Sequence, residues 1–239
     1  MKSFQSLKWF PLAQQEYAIC QQKFIGMLRG QKLHRYLDIG CNDGRFTMEC
    51  ARSFMAEEVN GIEIDAGLAE KARSKGVNVS ILDASGRYPY PDNSFDVVTL
   101  NQVLEHVADT DNVLRECYRV LDHEGIILLS SPNLCSLLQR LLILTGQQPS
   151  TLHVSEIQVG NFIRGTETKF EHIHAFAPSA LKDLLMYHGF GKVKMSGSGF
   201  YPLSPPFSNW ASAMFPGLSV YSIIEARKTA RNTSLPGPS

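Results

Sequence analysis

Apolar residues in this chain fall into short runs, each followed by a small-residue turn and then by a stretch with apolar positions every three or four residues. The runs sit at residues 36–39, 59–64, 77–82, 95–101 and 125–131. Short continuous apolar runs bounded by turns read as strands buried on both faces, and the stretches between them read as amphipathic helices. The helix after the first run carries Phe46, Met48, Cys50 and Phe54; Asp65 is placed to N-cap the next, with Leu68, Ala69 and Ala72 inside it. Residues 109–120 form another helix, closed by Gly125 before the fifth strand. Strand–helix alternation of this kind predicts an α/β domain whose parallel sheet is covered on both faces.

The flanking regions read differently. Residues 1–30 are a helical lead-in, with Leu12, Glu16, Tyr17, Phe24, Met27 and Leu28 in a loose helical period. Residues 31–133 hold the alternating core. Beyond it, residues 134–144 are helical and 147–168 are polar and Gly-bearing, so 134–176 is expected as an insertion or cap over the strand ends. In 177–229, Pro178 opens a helix that Gly189 ends, and residues 192–201 and 220–228 are two further strands joined by a Pro-rich excursion. Residues 230–239 form a disordered tail.

Candidate chemistry concentrates in residues 36–46, YLDIGCNDGRF. A strand ends near Asp38, a turn runs through Gly40, Cys41, Asn42, Asp43 and Gly44, and a helix follows. Such a turn lets a ligand approach the backbone closely. A dinucleotide fingerprint begun at Gly40 would need glycines where Asn42 and Arg45 stand, and the Asp38 carboxylate would repel a pyrophosphate. An acid there suits a ligand bearing an ammonium group, which points away from NAD and toward an amino-acid-bearing nucleoside. Glu63 ends the second strand 19 residues after Gly44, the spacing at which a carboxylate accepts from both vicinal ribose hydroxyls. Asp83 closes the third strand before Ala84, Ser85 and Gly86, where it would accept from an exocyclic adenine amine. The fourth strand runs into Asn101.

Four features in this order carry a resemblance: the D-x-G-x-x-x-G turn, the acidic end of strand two, the Asp after strand three, and FDVVTLNQVLEHV followed by LRECYRVLDHEGIILLSSPN. From about Leu33 to Pro132 the chain resembles the class I S-adenosylmethionine-dependent methyltransferases of the bacterial type 11/type 23 domain group, and GIEID, KGVNV and SPNLCSLLQRLLILTGQQP are loosely similar to the methionine-biosynthesis protein MetW. The resemblance implies a Rossmann-like seven-stranded, mostly parallel sheet with an antiparallel last strand. It implies S-adenosylmethionine as cofactor, held by Asp38, Gly40, Cys41, Asn42, Gly44, Glu63, Ile64, Asp83, Ala84 and Asn101. It also implies methyl transfer to a small-molecule or glycan/lipid-precursor acceptor, oxygen slightly favoured. The alternative is a MetW-like accessory protein acting through a partner acyltransferase.

Histidines are the candidate catalytic groups. His106 is expected beside the sulfonium or as a helix-start cap, and His172 and His174 share one face if their segment is a strand, with Phe170 and Phe176. His153 and His188 have weaker claims. Some methyltransferases of ubiquinone and small RNA place E-x-x-E-H at the position of residues 102–106 to hold a divalent cation. Here Gln102 replaces the first carboxylate, so no metal ligand is assigned.

Charge and cysteine usage narrow the setting. Net charge is zero and no basic run stands out, which disfavours nucleic acid. Five cysteines with no C-x-x-C pair, and no signal-peptide pattern, fit a reduced cytoplasmic compartment. The apolar cluster at 137–144 is too short to cross a bilayer, and no stable membrane attachment is expected. The segment FYPLSPPFSNWASAMFPGLS places Phe207, Trp210 and Phe215 in a Pro-rich setting. An apolar substrate wall, a homodimer patch, contact with lipid-linked acceptors and core packing are its open readings.

Overall fold

In the computed structural model, which describes residues 9–162 and 172–229, β1 (Arg35–Ile39), β2 (Glu58–Glu63), β3 (Asn78–Ile81), β4 (Phe95–Asn101), β5 (Leu121–Pro132), β6 (Phe190–Ser198) and β7 (Tyr221–Lys228) form one sheet. Their order is β3-β2-β1-β4-β5-β7-β6. Strands β1 to β5 pair in parallel, and β7 lies antiparallel between β5 and β6. This is the Rossmann-like seven-stranded arrangement with the last strand inserted backwards. The first eight residues of the lead-in, residues 163–171 with Phe170, and the tail 230–239 lie outside the described residues.

Alternation along each strand divides the core. Leu37, Ile39, Val98, Leu100, Ile127 and Leu129 pack on one face against Val113 and Cys117 of α4 (Thr110–Val120) and Leu181 and Leu185 of α6 (Pro178–Tyr187). Tyr36, Val97, Ile126 and Leu128 point the other way, against Cys20 and Phe24 of α1 (Trp9–Met27) and Cys50 and Phe54 of α2 (Arg45–Phe54). Full burial of a large apolar side chain such as Phe24 or Phe54 contributes roughly 1.5–3 kcal/mol. In α1 the buried positions Glu16, Cys20 and Phe24 recur every four residues, and buried Leu28 just past its end continues the row, which aligns one helical face with the sheet.

Capping explains several boundaries. Asp65 accepts from the Leu68 amide at 2.8 Å and starts α3 (Ala66–Arg73); Asp109 accepts from the Asn112 amide at 2.8 Å and starts α4. Ser136 caps α5 (Leu137–Leu144), and Gly189 turns the chain after α6 with φ 95°.

Other boundaries differ from expectation. β3 stops at Ile81, two residues before Asp83. β5 begins at Leu121 directly after α4, not at Gly125, because Leu121 pairs with Phe95 before the ladder jumps to Ile126 opposite Val97. β6 spans Phe190–Ser198, earlier than expected. The Pro-rich excursion contains a helix, α7 (Pro205–Met214), because prolines in a first turn remove no hydrogen bond that a helix needs. Phe207 and Trp210 are 65% and 63% exposed on α7, so core packing does not hold for them.

Candidate active site

The sequence order of the strands reverses between β1 and β4, and a parallel sheet opens a crevice at the carboxyl ends of the strands there. A cleft of about 670 Å³ occupies this position. Asp38, Gly40, Cys41, Asn42, Glu63, Asn101 and His106 line it, together with Tyr17 and Gln21 of α1 and Phe46 and Glu49 of α2. The lead-in helix therefore both packs on the sheet and walls the cleft.

The turn is built from left-handed residues. Gly40 has φ 71°, and a Cβ there would lie 2.8 Å from the Val103 side chain. Gly44, φ 78°, N-caps α2, and its missing Cβ admits the Ala72 backbone of α3, whose Cα would be 2.8 Å away. Asn42 is left-handed at φ 49°, a conformation Asn tolerates better than most residues.

Two carboxylates hold this turn in place. Glu63 Oε2 accepts from the Asn42 amide at 2.9 Å, and Oε1 accepts from the amides of Ile64 and Asp65 at 2.9 and 3.0 Å. Asp38 is buried and accepts from the Thr47 hydroxyl of α2 at 2.6 Å and from the Thr99 hydroxyl of β4. The β1–β4 register sets Asp38 beside Thr99, and Thr99 also bonds the Tyr36 hydroxyl at 2.8 Å. Burial pushes the Asp38 carboxyl up to about 6; the two threonine hydroxyls pull the other way, and the nearby Glu63 charge adds to the rise. Asp38 thus ties β1, β4 and α2 together under the turn.

Not every expected cofactor residue meets at the cleft. Gly44 serves helix packing just behind it. Ile64 is exposed, and Asp83 is exposed and accepts from the Ser85 amide at 2.7 Å, shaping its own turn; neither they nor Ala84 line the cleft. Asn101 links Tyr17 and Ser130 at 3.3 and 2.6 Å. Thr47, Thr99, Tyr17 and Gln21 are not among the residues the sequence pattern singles out for the site. The four-residue spacing of Tyr17 and Gln21, on one helix face, was a usable signal; the Thr99 position became meaningful only with the strand register.

The histidines sit on irregular backbone. Residues 104–106 form a turn and α4 starts only at Thr110, so His106 caps no helix. Residues 172–175 are not a strand, and only Phe176 bridges to Asn133, so no alternating strand face exists for His172 and His174. Instead the amides of Ile173 and His174 donate to the Glu105 carbonyl at 2.9 and 3.1 Å, drawing this segment over the 104–106 turn. His172 stacks on His153 with ring centroids 4.4 Å apart and meets His106 edge-on at 5.0 Å. Burial, then the His153 and His106 rings, lower the His172 pKa to about 4. His174 does not line the cleft. His188 is buried under α4 and bonds Asp111 at 2.8 Å.

A second cavity of about 230 Å³ adjoins the cleft through Gln102, which lines both. Glu16, Thr151, His172, Tyr201 and Tyr221 are among its walls.

Comparison with known proteins agrees with this geometry. Residues 37–129 match the family model described as a methyltransferase domain. The chain is 30% identical to an uncharacterized methyltransferase of Schizosaccharomyces pombe, over 62% of this chain and 61% of that one. It is 35% identical to a probable S-adenosylmethionine-dependent methyltransferase of Mycobacterium tuberculosis, over 41% of this chain and 35% of that one. It spans, then, from about a third to about three fifths of the length of these relatives. In fold, it is similar to a Thermotoga maritima structure described as an S-adenosylmethionine-dependent methyltransferase and possible histamine N-methyltransferase, with a TM-score of 0.62 at 20% identity over 93% of both chains. The matched domain covers most of β1 to β5 and the glycine turn, so this part of the chain is similar to the methyltransferase domains of S-adenosylmethionine-dependent enzymes.

Proposed function

We propose that the chain transfers a methyl group from S-adenosylmethionine to a small-molecule acceptor, with oxygen as the favoured acceptor atom. The observation that carries this reading is the cleft at the β1–β4 switch point, where the Gly40–Asn42 backbone, the Glu63 carboxylate and Asn101 converge. The residue types fit the cofactor. Glu63, held by three backbone amides, presents a fixed carboxylate for ribose hydroxyls, and the Gly40 turn leaves room for close approach. The buried Asp38 carboxyl beneath the turn favours a ligand with an ammonium group. Ile64, Asp83 and Ala84 lie outside the cleft walls, so in this reading the base end of the nucleoside reaches past them toward solvent.

The cofactor supplies an activated methyl on sulfur; the protein supplies orientation and exclusion of water. Fixing the two reactants in line lowers the barrier by roughly 7–11 kcal/mol. Tyr17, Gln21 and Phe46 wall one side of the cleft, and the cavity beyond Gln102 has the size of a small acceptor rather than of a polymer. His106 borders the cleft and His172 the second cavity, so both stand on the acceptor's path; His174 belongs to neither wall. The segment 134–176 acts in this reading as the acceptor-side cap. A glycan or lipid precursor remains within this acceptor class, and a cytoplasmic setting suits five cysteines that are all unpaired. Among the described residues no helix is long and apolar enough to cross a membrane.

Calorimetric titration with S-adenosylmethionine, S-adenosylhomocysteine and NADH tests the reading. The first two are expected to bind one-to-one and NADH not at all. Glu63→Gln, which keeps the shape but removes the charge, should weaken S-adenosylhomocysteine by about 1–3 kcal/mol, or about 5- to 150-fold. Unchanged affinity in that variant would remove Glu63 from the site, and preferential NADH binding would sink the proposal.

A further inference from the structure

The second cavity has one carboxylate in its walls, Glu16, and no lysine or arginine among the described residues that line it. Glu16 is 6% exposed, and its two oxygens stand in different surroundings. Oε1 accepts from the Ser208 hydroxyl of α7 at 2.8 Å, and that hydroxyl accepts in turn from the Phe200 amide at 2.7 Å. Oε2 has no hydrogen-bond partner among the described residues. A buried carboxylate oxygen in that condition is costly unless a cation or donor meets it. Gly199 keeps the space beside it open, because a Cβ there would lie 2.8 Å from Oε2. The Lys23 Nζ, further along α1, is bonded instead to the Gly197 carbonyl at 3.1 Å and the Ser212 hydroxyl at 2.7 Å. The other walls also suit a cation. Tyr201 and Tyr221 are aromatic, and an ammonium group is attracted to the face of such rings. His172, its pKa lowered to about 4 chiefly by burial, brings no opposing positive charge near neutral pH.

We propose that the second cavity binds a protonated amine of the methyl acceptor, with the ammonium group paired to Glu16 Oε2 beside the Tyr201 and Tyr221 rings. Resting on the methyl-transfer reading, this narrows the acceptor to small amino alcohols and aminoalkyl phenols. An ammonium group held by a carboxylate has no lone pair, so the anchored nitrogen is not the atom that takes the methyl. The hydroxyl at the far end of the acceptor is. It reaches the cleft past Gln102, which lines both spaces and is fixed by its Nε2 bond to the Ser130 hydroxyl at 2.9 Å. Tyr17 joins the two spaces as well: it walls the cleft and packs edge-on against Tyr221, with centroids 6.2 Å apart. The oxygen lone pair forms the bond to the methyl carbon, the carbon–sulfur bond breaks with its electron pair left on sulfur, and the hydroxyl proton passes to solvent. Glu16 binds the acceptor in this scheme and takes no proton.

The test uses the full chain saturated with S-adenosylhomocysteine. Ethanolamine and tyramine are titrated by calorimetry beside neutral counterparts, 1-propanol and 4-propylphenol, and anionic ones, 3-hydroxypropanoate and 3-(4-hydroxyphenyl)propanoate. Saturable binding of at least one amine is expected, at least about tenfold tighter than either of its counterparts. Glu16→Gln keeps an oxygen for the Ser208 bond but removes the charge; it should weaken that amine by about tenfold or more and leave the neutral counterpart unchanged. Absence of saturable amine binding in the unmutated chain would overturn the proposal. So would equal affinity for a neutral or anionic counterpart, or amine affinity unchanged in Glu16→Gln. S-adenosylhomocysteine is also titrated alone: its binding without amine selectivity leaves the methyltransferase reading standing and removes only this assignment, and the reverse pattern does the opposite. Far-ultraviolet dichroism identifies a variant that fails to fold, and the charge selectivity of the unmutated chain then decides.

Discussion

Gly44→Ala is expected to destabilise the chain by about 2–5 kcal/mol, as measured by urea unfolding. Two independent costs add. At φ 78° an L-residue costs roughly 1–2 kcal/mol relative to glycine. The new methyl would also lie 2.8 Å from the Ala72 Cα and 2.9 Å from its Cβ, and neither can swing aside because Ala72 is fully buried within α3. Forcing a methyl into such a packed contact costs typically 1–3 kcal/mol. Gly76→Ala separates the two: Gly76 has φ 96° but nothing within 4 Å of the position its Cβ would take, so only the backbone cost of about 1–2 kcal/mol applies. Equal effects of the two substitutions would show that Gly44 is there for its backbone alone.

Asp38→Asn is expected to change the pH dependence of stability by up to about 3 kcal/mol between pH 4 and pH 7. The folded-state carboxyl is raised from its ordinary 3.8 to about 6, chiefly by burial. The folded chain therefore holds this proton more tightly than the unfolded chain does. Its contribution is fully present below about pH 4, where both states are protonated, and is lost as pH rises through about 6. An asparagine has no such proton, so the variant should gain on the unmutated chain as pH rises. Urea unfolding at several pH values checks this, and a stability difference that stays constant with pH would contradict it. A bound ammonium group would pull the Asp38 pKa down, so cofactor affinity should also rise across the same pH window.

The sheet was legible because its strands are buried on both faces. Runs such as residues 95–101 and 125–131 are largely apolar, and Gly40, Gly44, Asp65 and Gly189 punctuate them with residues whose conformations or caps admit few alternatives. Glu63 was legible from its spacing to the turn and does meet the cleft. What escaped depends on contacts distant in sequence. Thr99 lies 61 residues from Asp38, and only the strand register brings them together. The α7 helix hid behind its own proline pair. The strand that would set His172 and His174 on one face does not form, because the amides of Ile173 and His174 both go to the Glu105 carbonyl and not to a ladder. The same bonds bring His172 against His106, a contact that no local spacing announces.

In the proposed function a nucleoside sulfonium ligand occupies the cleft between β1, β2 and β4. A crystal structure of the full chain with S-adenosylhomocysteine tests this most directly. It should show the ribose hydroxyls on Glu63 and the amino-acid end over the Gly40 turn; the ligand bound elsewhere, or absent at saturating concentration, would contradict the account.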